Sequence, residues 1–301
     1  MPDLPLVTVV TPCYNMGRFV QETIESVLSQ DYPYVEYIVM DGGSTDRTVE
    51  VLDKYRGRLE YHSGPDGGAA DAINRGFARS KGSILAYLNA DDTYLPGAVS
   101  KAVEHLRAAP GIAMVYGNGY WVDEKGARLG AYPTKPFDAE LLEHECFICQ
   151  PAAFWRREAF EAAGSLNPGL QYTFDYDLWI RMARQVRMER IEGFLATSRM
   201  HKENKTVGAR RRVLRETLVL LRDHFGYVPF SWVNAYCAHL VDGRDQFFEP
   251  ATPGVSAYLL SLFLGLRMNA GHTRRYLREW GSIMTWAALA RRWRDFSGRC
   301  F

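Results

Sequence analysis

What the sequence lacks removes several classes of protein at once. It has no Gly-x-Gly-x-x-Gly fingerprint and no Gly-x-x-x-x-Gly-Lys-Ser/Thr loop, which disfavours a dinucleotide fold and a P-loop. It has no strong excess of either charge: the net charge over 301 residues is +1, so a nucleic-acid partner is not expected. Cysteine is scarce: Cys13, Cys146, Cys149, Cys237 and Cys300 are too few and too scattered for a disulfide framework. Cys146 and Cys149 have CxxC spacing, but no second pair accompanies them, so a zinc or redox site is disfavoured. The apolar run Val255–Leu266 has twelve residues, short of the roughly 20 that a membrane-crossing helix needs. Met1–Pro5 carries no basic segment ahead of an apolar one, and it is read as a cytoplasmic start.

What is present is ample apolar material, 47% of the chain, in a distinct order. Leu6–Val10 and Val35–Met40 read as buried strands, Leu59–His62 as a shorter one, and Ile84–Leu88 as a fourth. Helical spacing runs between them, from Phe19 to Gln30, around Val49–Leu52, and from Ala69 to Ser80. Strand and helix therefore alternate over the first ninety residues, which predicts an α/β fold with a mostly parallel sheet flanked by helices.

Each strand is followed by polar residues. Tyr14-Asn15 follow the first, Asp41 closes the second, Asp66 follows the third, and Asn89-Ala90-Asp91-Asp92 follow the fourth. Parallel strands bring their carboxyl ends to one edge, where open α/β sheets bind ligands. A set of this kind at one strand end is ordinary turn and cap chemistry; at four ends it predicts a crevice. Asp41 suits ribose hydroxyls or a base imino group. Asp91 and Asp92 offer oxygen to a hard divalent cation held against a diphosphate. Together they describe a site for a sugar nucleotide.

Further along, Pro96 opens a helix carrying Val99, Val103 and Leu106, and Ile112–Tyr116 reads as a strand. Gly119–Val122 and Ala127–Tyr132 read as a hairpin, Gln150–Trp155 as a strand, and Glu158–Ala163 as a helix. Asp175 is expected as the N-cap of a helix with Leu178, Trp179 and Met182 facing inward. A carboxylate there can also serve as a general base. Met188–Ile191 reads as a late strand, followed by the basic loop Arg199–Lys205, in which His201 is a candidate metal ligand.

These pieces resemble the family 2 glycosyltransferases of GT-A fold. The resemblance rests on Val9–Asn15, Asp41–Asp46, Asp71–Gly76, Leu88–Asp92 and Asp175–Trp179, in that order, and covers residues 5 to 206. It implies a nucleotide-diphospho-sugar donor bound by Pro12, Tyr14, Asn15, Asp41, Asp66, Asn89 and Ala90. It implies a divalent cation, Mn²⁺ or Mg²⁺, on Asp91 with His201, and Asp175 as the base that deprotonates the acceptor hydroxyl. Inversion at the transferred hexose or deoxyhexose is part of the same implication. The sequence departs from the family twice: Asn89 replaces the first acid of the metal motif, and Phe174 replaces an acid that often precedes the base. The expected acceptor is a glycan or a lipid-linked glycan of cell-surface polysaccharide assembly. The processive relatives carry Gln-x-x-Arg-Trp; here Leu289 stands where the glutamine belongs before Arg292-Trp293, so a single sugar is expected per transfer. The rival readings are a sugar-1-phosphate nucleotidylyltransferase, whose Gly-rich first loop is missing, and a non-catalytic sugar-nucleotide sensor.

The predicted division is a GT-A domain over 1–206 and a helical region over 207–301. From Arg267 to Phe301 eight arginines stand against two acids, a net +6, with Trp280, Trp286 and Trp293 interleaved. That pattern fits residues 255–301 to a peripheral contact with the cytoplasmic membrane face. A packed appendage or a homodimer contact is the plainer alternative.

Overall fold

The computed structural model describes residues 4–243 and 254–282. The chain divides into two compact units, residues 1–208 and 209–301.

The first unit opens with β1 (Val7–Cys13), α1 (Val20–Leu28), β2 (Val35–Asp41), α2 (Thr48–Asp53), β3 (Glu60–Ser63), α3 (Ala69–Arg79) and β4 (Ile84–Tyr87). Strands β3, β2, β1 and β4 lie side by side in that order, all parallel. β1 is buried along its whole length because helices cover both faces, which is why it reads as a continuous apolar run.

Thr11-Pro12-Cys13 belongs to β1, although proline there reads as a strand breaker. β4 pairs with β1 only from Val7 to Val10, so Pro12 lies beyond β1's last partner on that side and needs no N–H there.

The unit continues with β5 (Thr93–Tyr94), α4 (Ala98–Ala108), β6 (Met114–Val122), β7 (Arg128–Ala131), β8 (Ala153–Arg156), α5 (Arg157–Ala163), α6 (Phe174–Ala183), β9 (Met188–Arg199) and the short α7 (Lys205–Gly208). The sheet runs β3-β2-β1-β4-β8-β6-β9-β5, with β7 on β6. Pairing beyond β4 is mixed: β8 is antiparallel to both β4 and β6, while β9 is parallel to β6. β9 is three times as long as expected. It stays paired with β6 up to Arg199, bending through register shifts at Asn118, and so absorbs the start of the expected basic loop.

The second unit holds α8 (Arg210–Phe225), α9 (Phe230–Asp242), α10 (Val255–Met268) and α11 (Thr273–Ser282). Leu218, Tyr227, Val228, Phe230, Val233, Cys237 and Tyr276 form its own core. Among the described residues no helix is long and apolar enough to cross a membrane. The part of the expected basic surface that falls on 283–301 lies outside the described residues.

Candidate active site

The register of the parallel strands brings Cys13, Asp41 and Ser63 level at the carboxyl edge. Asp41, only 3% exposed, accepts the N–H groups of Gly43 (3.3 Å) and Ser44 (3.1 Å), and the hydroxyls of Ser63 (2.6 Å) and Ser44. Gly43, at φ +83°, makes that turn possible. The neighbouring loop is tied to it. Asn15 adopts the left-handed region at φ +53°, and its side-chain oxygen accepts the Thr45 N–H at 2.8 Å while its own N–H donates to Ser44 Oγ at 2.7 Å. Asn15 therefore spends its amide oxygen on shaping the loops.

A cavity of about 180 Å³ opens beside Asp41, lined by Met40, His62, Ser63, Gly64, Asp66, Arg75 and Arg79. Asp66 presses on the Asp41 turn, since a Cβ on Gly42 would come within 2.9 Å of its carboxylate. Arg75 donates to the Pro65 carbonyl at 3.1 Å. Arg75 and Arg79 sit one helical turn apart on α3 and gave no functional signal beyond the Asp71–Gly76 motif and their i, i+4 spacing. Gly76 sets how near they come: a Cβ there would lie 2.6 Å from Val10 Cγ1, so α3 rests directly on β1. Pro12 is buried at the edge of β1, and Tyr14 just beyond it is 59% exposed.

The four residues after β4 part company. Asn89 donates to Gln150 Oε1 and Asp92 Oδ2, both at 3.2 Å, and Gln150 donates back to the Tyr87 carbonyl at 2.8 Å. Ala90 is buried. Asp92 is 4% exposed and accepts the Arg199 N–H at 2.9 Å; burial first, and then the charge of Asp91, push its carboxyl well up from the usual range. Asp92 thus belongs to the scaffold. Asp91 turns the other way, and its Oδ2 lies 2.9 Å from His201 Nε2. The His201 ring packs on Phe19 at 4.8 Å.

Arg199, read from sequence as the start of a basic loop, is an internal clasp. It donates to the carbonyls of Asp91 (2.9 Å) and Glu124 (2.9 Å), pairs with Glu22, and lies over the Phe19 ring. Lys205 donates to the Gln171 carbonyl at 3.1 Å, with its ammonium 5.5 Å from the centre of the Phe174 ring.

Asp175 is the second residue of α6, whose N-cap is Thr173, so it is not the cap expected from sequence. Its Oδ1 accepts the Tyr176 N–H at 2.8 Å, at the positive end of the helix, which complements a carboxylate. Two devices fix α6. Trp179 packs edge-on against Trp155 of β8 at 5.4 Å, both fully buried. Arg181 pairs with Asp177 at 2.7 Å and donates to the carbonyls of Ala163, Gly164 and Ser165, pinning the helix to the end of α5.

Electrostatics tie these parts together. The Cys13 thiol is pushed up chiefly by burial and then by Asp41, Asp46 and Asp91. The Tyr87 hydroxyl, at the end of β4, is raised by burial and then by Asp175, Cys146 and Asp92. Asp41 and Asp91 thus bear on Cys13 at the end of β1, and Asp175 and Asp92 on Tyr87 at the end of β4.

Among the described residues no group of three or more His, Cys, Asp or Glu side chains is placed to hold a metal by itself. Asp91 and His201 supply one carboxylate and one imidazole at a common point, which suits a divalent cation that completes its shell with phosphate oxygens and water. Cys146 and Cys149 are free thiols, both raised by burial, and Cys149 packs its sulfur into the space left by Gly119.

Residues 8–164 match the model of "Glycosyl transferase family 2". An uncharacterized glycosyltransferase of Rickettsia felis is 31% identical over 214 residues, covering 66% of this chain and 35% of that protein. A chondroitin synthase of Pasteurella multocida is 26% identical over 208 residues, covering 68% of this chain and 22% of that protein. The chain thus spans about a third or less of these relatives. Two solved structures share the fold, each with a TM-score of 0.59. A mannosyltransferase from Pyrobaculum calidifontis in complex with GDP-Man and Mn²⁺ is 18% identical and covers 100% of this chain and 82% of that one. TarS 1–349 of S. aureus in complex with UDP-GlcNAc is 14% identical and covers 87% and 81%.

Proposed function

Since the chain belongs to glycosyl transferase family 2, we propose that it moves a hexosyl or deoxyhexosyl group from a nucleotide-diphospho-sugar to an acceptor hydroxyl, inverting the anomeric centre and adding one sugar at a time. The observation that carries this is the strand register that sets Asp41 at the carboxyl edge of the sheet beside a cavity, with Asp91 and His201 paired past the end of β4. The bound UDP-GlcNAc and GDP-Man of the two structural neighbours support a donor of this class.

In this reading the cavity beside Asp41 takes the nucleoside. The carboxylates of Asp41 and Asp66 accept from ribose hydroxyls or a base N–H, and Arg75 and Arg79 donate to carbonyl or phosphate oxygens. Tyr14, exposed past the same strand end, offers the base an aromatic face. Pro12 and Ala90 pack below, while Asn15 and Asn89 hold the two loops in shape.

Asp91 and His201, paired at 2.9 Å, would hold Mn²⁺ or Mg²⁺. When bound, the cation offsets the charge that gathers on the leaving diphosphate. Asp175 accepts the proton of the acceptor hydroxyl as the new bond forms, a contribution of about 10²–10⁴-fold. A base facing the leaving group across the sugar gives a single displacement, hence inversion. The acceptor is a glycan or lipid-linked glycan, met at the cytoplasmic face of the membrane.

A thermal-shift panel of UDP-, GDP- and dTDP-sugars with and without Mn²⁺ or Mg²⁺ tests the proposal, because a ligand of the native state raises the midpoint. At least one sugar nucleotide should do so, more strongly with the cation, and Asp41→Ala should abolish the shift. A panel in which none shifts the protein, or pyrophosphate release from a nucleoside triphosphate and a sugar phosphate, would refute it.

A further inference from the structure

Helix α10 carries apolar side chains on its outward face as well as its inward one. Its inward face is small: Ala257, Ser261 and Gly265 are buried at i, i+4, i+8 spacing. Tyr276 of α11 fills the gap they leave. A Cβ on Gly265 would fall 1.8 Å from its ring, and its hydroxyl donates to the Ser261 carbonyl at 2.7 Å. The outward face is large and apolar, with Val255 59%, Leu259 57% and Phe263 67% exposed and Leu260 beside them. The same i+4 row ends in exposed Arg267, and α11 adds exposed Arg274, Leu277 and Arg278. An ordinary surface helix turns its large apolar side chains to the core; α10 packs Tyr258 and Leu264 there but also turns Val255, Leu259 and Phe263 out.

Charge decides what covers that face. Residues 254–282 carry four arginines and one acid, a net +3. A second copy meeting it by two-fold symmetry would set +3 against +3. The chain's own residues 283–301 carry four arginines and one acid, again of the same sign. A helix of 14 residues is about 21 Å long, too short for a ~30 Å hydrocarbon core, so it does not cross a bilayer. We infer that α10 lies flat on an anionic lipid surface, with Val255, Leu259 and Phe263 in the acyl boundary and Arg267, Arg274 and Arg278 at the headgroups. The surface acts in this way whatever the first unit transfers.

Co-sedimentation of the full chain with phosphatidylcholine vesicles, with and without phosphatidylglycerol, tests this. Partitioning should require the anionic lipid and weaken with salt. Phe263→Asp should lower it at least tenfold, and Arg274→Glu with Arg278→Glu should lower it for anionic vesicles. Light scattering should show no concentration-dependent dimer. The sugar-nucleotide thermal shift should be unchanged in Phe263→Asp, which separates failure of this surface from misfolding and from failure of the donor site. Absence of vesicle binding, binding equal for neutral lipid, or a dimer broken by Phe263→Asp would overturn the inference.

Discussion

At the scale of single residues, the pair Asp91-Asp92 shows where sequence stops being informative. By residue type both acids suit a cation, and only the family resemblance singles out Asp91. In the fold, the turn after β4 sends Asp92 inward to the Arg199 N–H and leaves Asp91 beside His201. Nothing local distinguishes them, because the partner that claims Asp92 is 107 residues away. The two should therefore fail differently. Asp92→Ala leaves a buried N–H without its acceptor and should cost about 1–3 kcal/mol in urea unfolding. Asp91→Ala leaves the ring nitrogen of buried His201 without its partner and so should also cost stability, but it alone should remove the cation-dependent part of the donor-induced midpoint shift. Cation dependence retained in Asp91→Ala, or lost in Asp92→Ala, would contradict this division. Arg75 and Arg79 are a different case. Their motif is visible, but their role in the cavity depends on how closely α3 approaches β1.

At the scale of elements, what was legible is what is local. The alternation of apolar strands and amphipathic helices up to β4 appears in the sequence because β1, β4 and most of β2 are buried on both faces, while β3 at the sheet edge is not. β5 was not legible, since two residues have no period and Thr93-Tyr94 become a strand only by pairing with Thr197 and Ala196. The length of β9 was missed for the same reason: it is set by β6. The contact of α3 with β1 makes a sharp prediction. Gly76→Val would force a side chain into Val10 and should cost about 1–3 kcal/mol by overpacking, while shifting Arg75 and weakening donor binding. The loops after β1 and β2 are joined through Asp46. Partial burial opposes its charge, but Thr48 and the Gly17 N–H outweigh this and hold its carboxyl below the usual 3.8. A lowered native value means that the folded state binds fewer protons than the unfolded one. Asp46 therefore stabilises the fold above the usual carboxylate value, and the benefit is lost as the pH falls through the native one. The stability gap between the protein and Asp46→Asn should be widest at neutral pH and close in acid; a gap independent of pH would contradict the assignment.

At the scale of the whole molecule, the two units obey different rules. The first has a cavity beside Asp41 at its strand ends and carries the family 2 match over residues 8–164. The second has no motif, and its outward apolar face emerges only when Tyr276 is seen filling the side of α10 that small residues leave open. Sequence showed the basic, aromatic composition of this region, and structure shows which part of that surface faces out. The central claim is that Asp175 takes the acceptor's proton while Asp41 and Asp91 hold the donor. The most direct test is to compare Asp175→Asn with the unaltered protein, measuring the midpoint shift produced by the donor and the acceptor-dependent release of nucleoside diphosphate. An unchanged donor-induced shift with release slowed by about 10²–10⁴-fold is the expected result; release within a few-fold of normal would contradict the account.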